Sequence, residues 1–249
     1  QEQIFNIFHN NNRLLLFLIN EKVIELNHFL INKVIHNPEY TNLMYFFRLE
    51  KKLLKIEKND FFEINLDDEQ FDLKRKKGEN SSEICELIRN DSLDDFILYI
   101  NQKNIQVNSK INTTIFETNR FLIENKTKLI QCAAFFGSFQ IFKYLLLNKA
   151  NLNSDLWIFA IHGRNYDIIH LLEEKCIECP LNNAIIESIK CNHNEMVDYL
   201  LNSFSTENSD DNNDNFLNTS LMSFNFAEII NFLEYKNPNY LLNLACKYD

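Results

Sequence analysis

The chain has 249 residues, 45% of them hydrophobic, but only three glycines and three prolines. Such a shortage of turn-forming residues argues against a sandwich, a barrel or an open sheet, whose tight turns depend on them. A formal net charge of −10 argues against the basic surface that nucleic-acid-binding proteins present. We therefore expect an all-α protein that does not bind nucleic acid.

Cysteine usage and the apolar runs indicate the compartment. The six cysteines show no regular spacing, and the chain is large enough to fold without disulfides. We therefore expect a cytoplasmic protein, with the nucleus as the alternative. The longest apolar run, residues 14–19, is far shorter than the roughly 20 residues that cross a bilayer, so no membrane association is expected. Because the first residue is Gln1, we also expect the chain to be a fragment of a longer protein. Whether a targeting segment precedes it stays open.

Residues 1–80 are predicted to form a helical domain followed by a connector. Asn12 is expected to cap a helix in which apolar residues recur every three or four positions from Leu15 to Val34. Pro38 is expected to begin another helix. The connector, residues 59–80, contains the basic run 74–77, interpreted as a solvated helix end or linker, with a localisation or phosphate-binding patch as the alternative.

A short pattern recurs five times after residue 80. It consists of an acidic or amide residue, two apolar residues and, one position later, an aromatic or leucine pair, and it begins at Asp95, Gln140, Asp167, Glu195 and Glu228. Each occurrence follows an apolar segment, and helix stops are expected at Gly137, Gly163-Arg164, Asn192 and Asn225, where glycine or asparagine can accept a left-handed turn. Repetition with a period of about 33 residues is typical of stacked helix pairs. The acidic segment 207–215 is predicted to be a mobile loop.

Several stretches resemble ankyrin repeats. Residues 133–137 (AAFFG), 192–201 (NHNEMVDYLL) and 146–153 (LLNKANLN) are similar to the family patterns AAxxG, GHxEIVxYLL and LLxxGAxxN. Residues 84–92 and 115–119, together with the N-terminal helices, resemble a group of protist ankyrin proteins that carry a domain of unknown function. The chain departs from the family pattern because no repeat has the TPLH opening and Lys149 replaces the hairpin glycine.

The resemblance implies an ankyrin-type helical repeat solenoid with an N-terminal helical capping domain. The expected organisation is a helical domain and connector over 1–80, a degenerate first repeat with an insertion over 81–127, ankyrin-like repeats over 128–239 and the start of a truncated repeat over 240–249. A truncated repeat would expose an apolar end face. We therefore expect a monomer, or weak self-association through that end.

The family resemblance implies a scaffold or adaptor that binds a protein partner, and it places the two positions before each helix stop in the groove of the stack. The candidate partner-binding residues at such positions are Phe135, Phe136, His162, Lys190 and Phe224; Asn90, Asp91, Cys191 and Ser223 occupy the remaining ones. Phenylalanines exposed there would form an apolar patch of the kind that marks a partner site. The alternative is that the N-terminal helices or residues 101–127 cover Phe135 and Phe136.

The sharpest candidate for a metal site is Cys176, Cys179, Cys191 and His193, which carry the ligand types of tetrahedral zinc. In the repeat register, however, the first two cysteines precede a helix and Cys191 lies at its far end, roughly 15 Å away at about 1.5 Å per residue. We therefore expect no metal and no cofactor, and keep a helical metalloprotein or enzyme using these four residues as the alternative function.

No catalytic set stands out in the sequence. Nucleophilic catalysis needs a serine or cysteine beside a histidine and a carboxylate, but the six histidines are scattered along the chain. Three isolated glycines cannot form a phosphate-binding loop. The sequence therefore predicts a non-enzymatic interaction protein; a structural spacer without a partner is a further alternative.

Overall fold

The computed structural model describes residues 1–9, 11–25, 27, 30, 46–47, 67–204 and 210–233. These residues contain fourteen α-helices and no β-strand, so the prediction of an all-α protein is confirmed. The helix expected to begin at Pro38 and the truncated repeat expected over 240–249 lie outside the described residues. None of the described helices is long and apolar enough to cross a bilayer.

The helices follow one another with short connections. They are α1 (Glu2–Phe8), α2 (Asn12–Asn20), α3 (Asp68–Lys77), α4 (Glu83–Arg89), α5 (Leu93–Gln102), α6 (Arg120–Asn125), α7 (Leu129–Phe135), α8 (Phe139–Leu147), α9 (Leu156–Gly163), α10 (Tyr166–Glu174), α11 (Leu181–Lys190), α12 (Asn194–Phe204), α13 (Asp210–Met222) and α14 (Phe226–Leu233). Contacts divide the chain into two compact units. Unit 1 comprises residues 1–86 and 110–127, unit 2 comprises residues 87–109 and 128–249, and the segment 81–127 is thus shared between them.

The N-terminal helices of unit 1 are shorter than the apolar periodicity predicts. The side chain of Asn11, one residue before the expected cap Asn12, accepts a hydrogen bond from the Leu14 amide at 2.9 Å and so begins α2. Helix α2 ends at Asn20 and does not continue to Val34, because Lys22 adopts a left-handed backbone conformation with φ of 58°. The turn still allows Ile24 to join the buried cluster of Phe5, Leu15 and Leu16. The regular spacing of apolar residues therefore marks side chains that are buried in one core. It does not mark one continuous helix, because a turn interrupts it.

The basic run 74–77 does form a helix end, but one of its members is buried. Gly78 caps α3 with a φ of 68°, and Lys76 and Lys77 are exposed. Arg75 is only 5% exposed, and its Nε donates to Asp72 at 2.8 Å while its Nη1 donates to the Phe46 carbonyl at 3.4 Å. A buried charge needs such partners. The prediction of a solvated run is therefore wrong for Arg75, which ties α3 to the core of unit 1.

Unit 2 consists of helix pairs that pack in order. The pairs are α7–α8, α9–α10, α11–α12 and α13–α14, and the first helices of successive pairs are in contact, from α7 through α9 and α11 to α13. The second helices α5, α8 and α10 also contact one another in that order. The five recurrences of the sequence pattern begin within the first three residues of α5, α8, α10, α12 and α14. The repeated pattern therefore marks the start of each second helix.

Each first helix of these four pairs, and α4 before them, is followed by one residue with a left-handed backbone conformation. These residues are Asp91, Gly137, Arg164, Asn192 and Phe224, with φ between 49° and 67°. The predicted stops at Gly137 and Asn192 are confirmed. At Gly163-Arg164 the glycine still belongs to α9 and the arginine makes the turn. The stop predicted at Asn225 is wrong by one residue, because Phe224 makes the turn and Asn225 Oδ1 accepts the Glu228 amide at 3.3 Å as a cap of α14.

The acidic segment 207–215 is not a loop throughout. Residues 207–209 lie outside the described residues, but α13 begins at Asp210, so residues 210–215 are helical. The loop prediction is therefore wrong for most of this segment, since the same Asp and Asn residues that suit a loop also suit a helix start.

Candidate functional site

A series of side-chain hydrogen bonds fixes the turn ends of the first helices in unit 2. After three of the left-handed turns, the side chain of the next residue donates to a backbone carbonyl of the preceding helix pair. Ser138 Oγ donates to the Ile88 carbonyl at 2.5 Å, Asn165 Nδ2 to the Gly137 carbonyl at 3.0 Å and Asn225 Nδ2 to the Ile189 carbonyl at 3.1 Å. These three hydrogen bonds join successive helix pairs. They therefore fix the backbone that carries the other side chains at the turn ends.

Two of the candidate phenylalanines lie together at this end of unit 2. The ring of Phe135 stacks on His162, with centroids 4.8 Å apart and an interplanar angle of 29°. Phe136 meets Phe135 edge to face at 5.1 Å, and the Arg89 guanidinium lies 5.8 Å from the centroid of the Phe136 ring. Both phenylalanines are half-buried. We call these four residues, Arg89, Phe135, Phe136 and His162, the aromatic cluster.

A polar group adjoins the aromatic cluster at His162. His162 Nε2 lies 2.9 Å from Glu187 Oε1, and Cys191 Sγ lies 3.5 Å from His162 Nδ1 and 3.9 Å from Nε2. Lys190 Nζ donates to Glu187 Oε2 at 3.3 Å. The hydrogen bond with His162 holds the pKa of Glu187 below its ordinary value, against the opposing effect of burial. Burial raises the pKa of the Cys191 thiol to about 11.

The remaining predicted groove residues have different surroundings. Asp91 accepts hydrogen bonds from the amides of Gln140 and Ile141, each at 3.0 Å, and therefore caps α8. Phe224 is 75% exposed at the turn between α13 and α14, near the exposed side chains of Met222 and Phe226. The structure thus brings Phe135, Phe136 and His162 together and joins Lys190 to them through Glu187, while Phe224 lies at the last described turn.

Arg89 and Glu187 belong to this site and were not identified from the sequence. Glu187 lies four residues before Cys191, so the two side chains share one face of α11. From this spacing the sequence could have predicted that these two side chains lie close together. The proximity of both to His162, 25 residues from Glu187, depends on the packing of α9 against α11 and has no local signal.

The structure does not gather Cys176, Cys179, Cys191 and His193. Cys179 lines a cavity of about 610 Å³ with Trp157, Glu173 and Phe204, and burial raises the pKa of its thiol to about 12. Cys191 lies beside His162, whereas His193 Nε2 lies 3.3 Å from the Tyr166 hydroxyl. Within the described ranges, the one group of three residues with metal-ligand spacing is His162, Glu187 and Cys191.

Comparisons with known proteins identify no relative of this chain. No model of a protein family matches the chain, and comparisons with curated proteins and with solved structures found no significant match.

Proposed function

We propose that unit 2 is an ankyrin-type repeat stack that binds a protein partner, in the cytoplasm or nucleus, and is not an enzyme. The repetition of the helix pairs supports the architecture, since their left-handed turns follow one another at intervals of 46, 27, 28 and 32 residues. Arrays of this kind present a row of turn ends, and such extended surfaces are used for binding. We propose further that residues 1–80 form an N-terminal helical capping domain.

The aromatic cluster is the observation that supports this function most directly. Aromatic residues, phenylalanine among them, and arginine are enriched at protein–protein interfaces relative to the rest of the surface. Phe135 and Phe136 are held by ring contacts with each other, with His162 and with Arg89. Side chains that are already ordered lose less conformational entropy on binding. We therefore place the centre of the partner surface at the aromatic cluster, with Lys190 beside it.

The proposal is tested by capturing partners with variants of this surface. The test variant is Phe135→Ala/Phe136→Ala, and the matched control is Leu98→Ala/Leu147→Ala, which removes two exposed apolar side chains from the second helices α5 and α8. Circular dichroism and thermal unfolding first establish that every variant is folded at the temperature used. A protein retained by wild type and control, and lost with the test variant, is the expected result. If all three capture the same proteins, the partner surface lies elsewhere.

A second variant separates the two predicted parts of the surface. Phe224→Ala removes an exposed ring at the last described turn without touching the aromatic cluster. Loss of the same partner in this variant would extend the surface along the row of turn ends. Retention would confine it to the aromatic cluster.

A further inference from the structure

Three metal-ligand side chains converge next to the aromatic cluster. His162 lies in the last turn of α9, whereas Glu187 and Cys191 lie one turn apart on α11 and its C-terminal cap. One ligand atom from each of the three lies within 4.8 Å of the other two. A tetrahedral zinc ion with bonds of about 2.0–2.3 Å separates its ligand atoms by about 3.3–3.8 Å. His162 Nε2 is 2.9 Å from Glu187 Oε1 and 3.9 Å from Cys191 Sγ, so the first separation is somewhat shorter than in such a site and the second slightly longer.

Other contacts orient these three side chains. Cys191 Sγ approaches both nitrogens of the His162 ring, at 3.5 and 3.9 Å. Stacking on Phe135 fixes the plane of that ring, and Lys190 binds the second carboxylate oxygen, which leaves Glu187 Oε1 as the single oxygen ligand. The side chains of His162 and Glu187 are only 17% and 15% exposed. Contacts of this kind hold the ligand side chains in a fixed orientation.

We propose that His162 Nε2, Glu187 Oε1 and Cys191 Sγ together bind one Zn²⁺ ion, whose fourth position is open to water or to a side chain of a partner. A carboxylate and a thiolate balance the two positive charges of the ion, and the thiol proton is released to solvent on binding. The combination of sulfur, nitrogen and oxygen ligands selects zinc over Mg²⁺ or Ca²⁺, which prefer oxygen alone. Zinc binding at these three residues, where the sequence predicted no metal, does not depend on the proposed partner binding.

Cobalt provides the spectroscopic test in the purified full chain. Co²⁺ is titrated into wild type, Cys191→Ser and Cys179→Ser; the last removes a half-buried thiol outside the three-residue group. Wild type and Cys179→Ser are expected to bind one equivalent, with the thiolate-to-cobalt charge-transfer band and the intense visible bands of a tetrahedral site, and to release it to Zn²⁺. Cys191→Ser should lose the charge-transfer band and at least about 100-fold in affinity. An unchanged band in Cys191→Ser, or its absence in wild type, overturns the proposal.

A second measurement needs only the wild-type chain and covers the case in which Cys191→Ser does not fold. Iodoacetamide alkylation of each cysteine is followed by peptide mass spectrometry with and without one equivalent of Zn²⁺. Slower alkylation of Cys191, with exposed Cys176 unchanged, is the expected result. Equal protection of Cys176 and Cys179 would instead favour a site built on those two cysteines, and no protection of Cys191 would rule the zinc site out.

Discussion

A β-carbon added to Gly163 would lie 2.1 Å from the carbonyl oxygen of Ala134. Gly163 is the last residue of α9 and Ala134 lies in α7, so the missing side chain lets these two first helices approach closely. The clashing oxygen belongs to the backbone of Ala134, so no side-chain rotation could relieve the contact. Gly163 is therefore required by packing and not by the left-handed turn, which is made by Arg164.

Gly163→Ala is expected to destabilise the protein, although alanine favours helix by about 1 kcal/mol over glycine. Overpacking costs about 1–3 kcal/mol or more, and a β-carbon only 2.1 Å from a backbone oxygen belongs at the upper end of that range. We therefore expect a net loss of about 2 kcal/mol in the free energy of unfolding. Urea denaturation followed by circular dichroism measures it. Asn183→Ala, at an exposed position of α11, is the control and should be nearly neutral. Equal stability of Gly163→Ala and wild type would contradict this prediction, because separating α7 from α9 would then cost no more than the roughly 1 kcal/mol that alanine gains in a helix.

Asp91→Ala should lower the free energy of unfolding by about 1–2 kcal/mol, the usual cost of losing a helix cap. The carboxylate accepts the amides of Gln140 and Ile141, which are otherwise without acceptors in the first turn of α8. Asp91→Asn, which keeps one oxygen acceptor, should lose less. Urea denaturation of both variants, with exposed Asn90→Ala as control, gives the comparison. A loss no larger than that of the control would contradict the capping role.

Asn225→Ala is expected to cost about 2 kcal/mol because it leaves buried hydrogen-bonding groups unpaired. Its Nδ2 donates to the Ile189 carbonyl at 3.1 Å and to Asn194 Oδ1 at 2.8 Å, and the residue is 1% exposed. Asn225→Asp should be at least as unfavourable, since its carboxylate has no hydrogen to donate to the Ile189 carbonyl oxygen and to Asn194 Oδ1. Thermal unfolding with Asn202→Ala, at an exposed position of α12, as control tests both. If Asn225→Asp keeps wild-type stability, the donor role is wrong.

Phe224→Gly should stabilise the protein by about 1 kcal/mol, because a left-handed conformation costs an L-residue roughly 1–2 kcal/mol and glycine almost nothing. Phe224 has a φ of 53° and a 75% exposed side chain, so little packing is lost. The control Phe226→Gly removes an equally exposed ring from α14 and should give no gain. Differential scanning calorimetry of the two variants measures the change in Tm. If the left-handed backbone of Phe224 is strained, Tm should rise in Phe224→Gly and should not rise in Phe226→Gly. A loss of stability in Phe224→Gly would show that its ring packs in solution.

Glu228→Gln should raise Tm at pH 7. Burial, as the largest effect, raises the pKa of Glu228, helped by Asp198 and opposed by a hydrogen bond from Asn231. The folded state therefore holds the proton more tightly than the unfolded chain, and stability falls as pH rises from the ordinary value of 4.5 through the higher folded pKa. Glutamine keeps a neutral side chain at every pH. The Tm advantage of the variant should consequently be present at pH 7 and shrink toward pH 4; an advantage that does not depend on pH would contradict this account.

The helix pairs were predictable because their signals are local. A shortage of glycine and proline predicted an all-α chain, and the recurring pattern predicted the starts of α5, α8, α10, α12 and α14. Gly137 and Asn192 were predicted as turns because these residue types accept left-handed backbone whatever surrounds them. Phe224 could not be predicted in the same way, because no property of phenylalanine favours that conformation.

The sequence by itself determined the helical class, the repeated pairs and most of their turns, since each follows from the conformational preferences of a few neighbouring residues. Tertiary structure alone decided that Arg75 is buried against the Phe46 carbonyl, that Gly163 faces Ala134, and that His162 meets both Glu187 and Cys191. Each of these relationships joins residues 25 to 29 positions apart on different elements. Their distances are set by how helices pack, which no local preference specifies, and the candidate metal site is of this second kind.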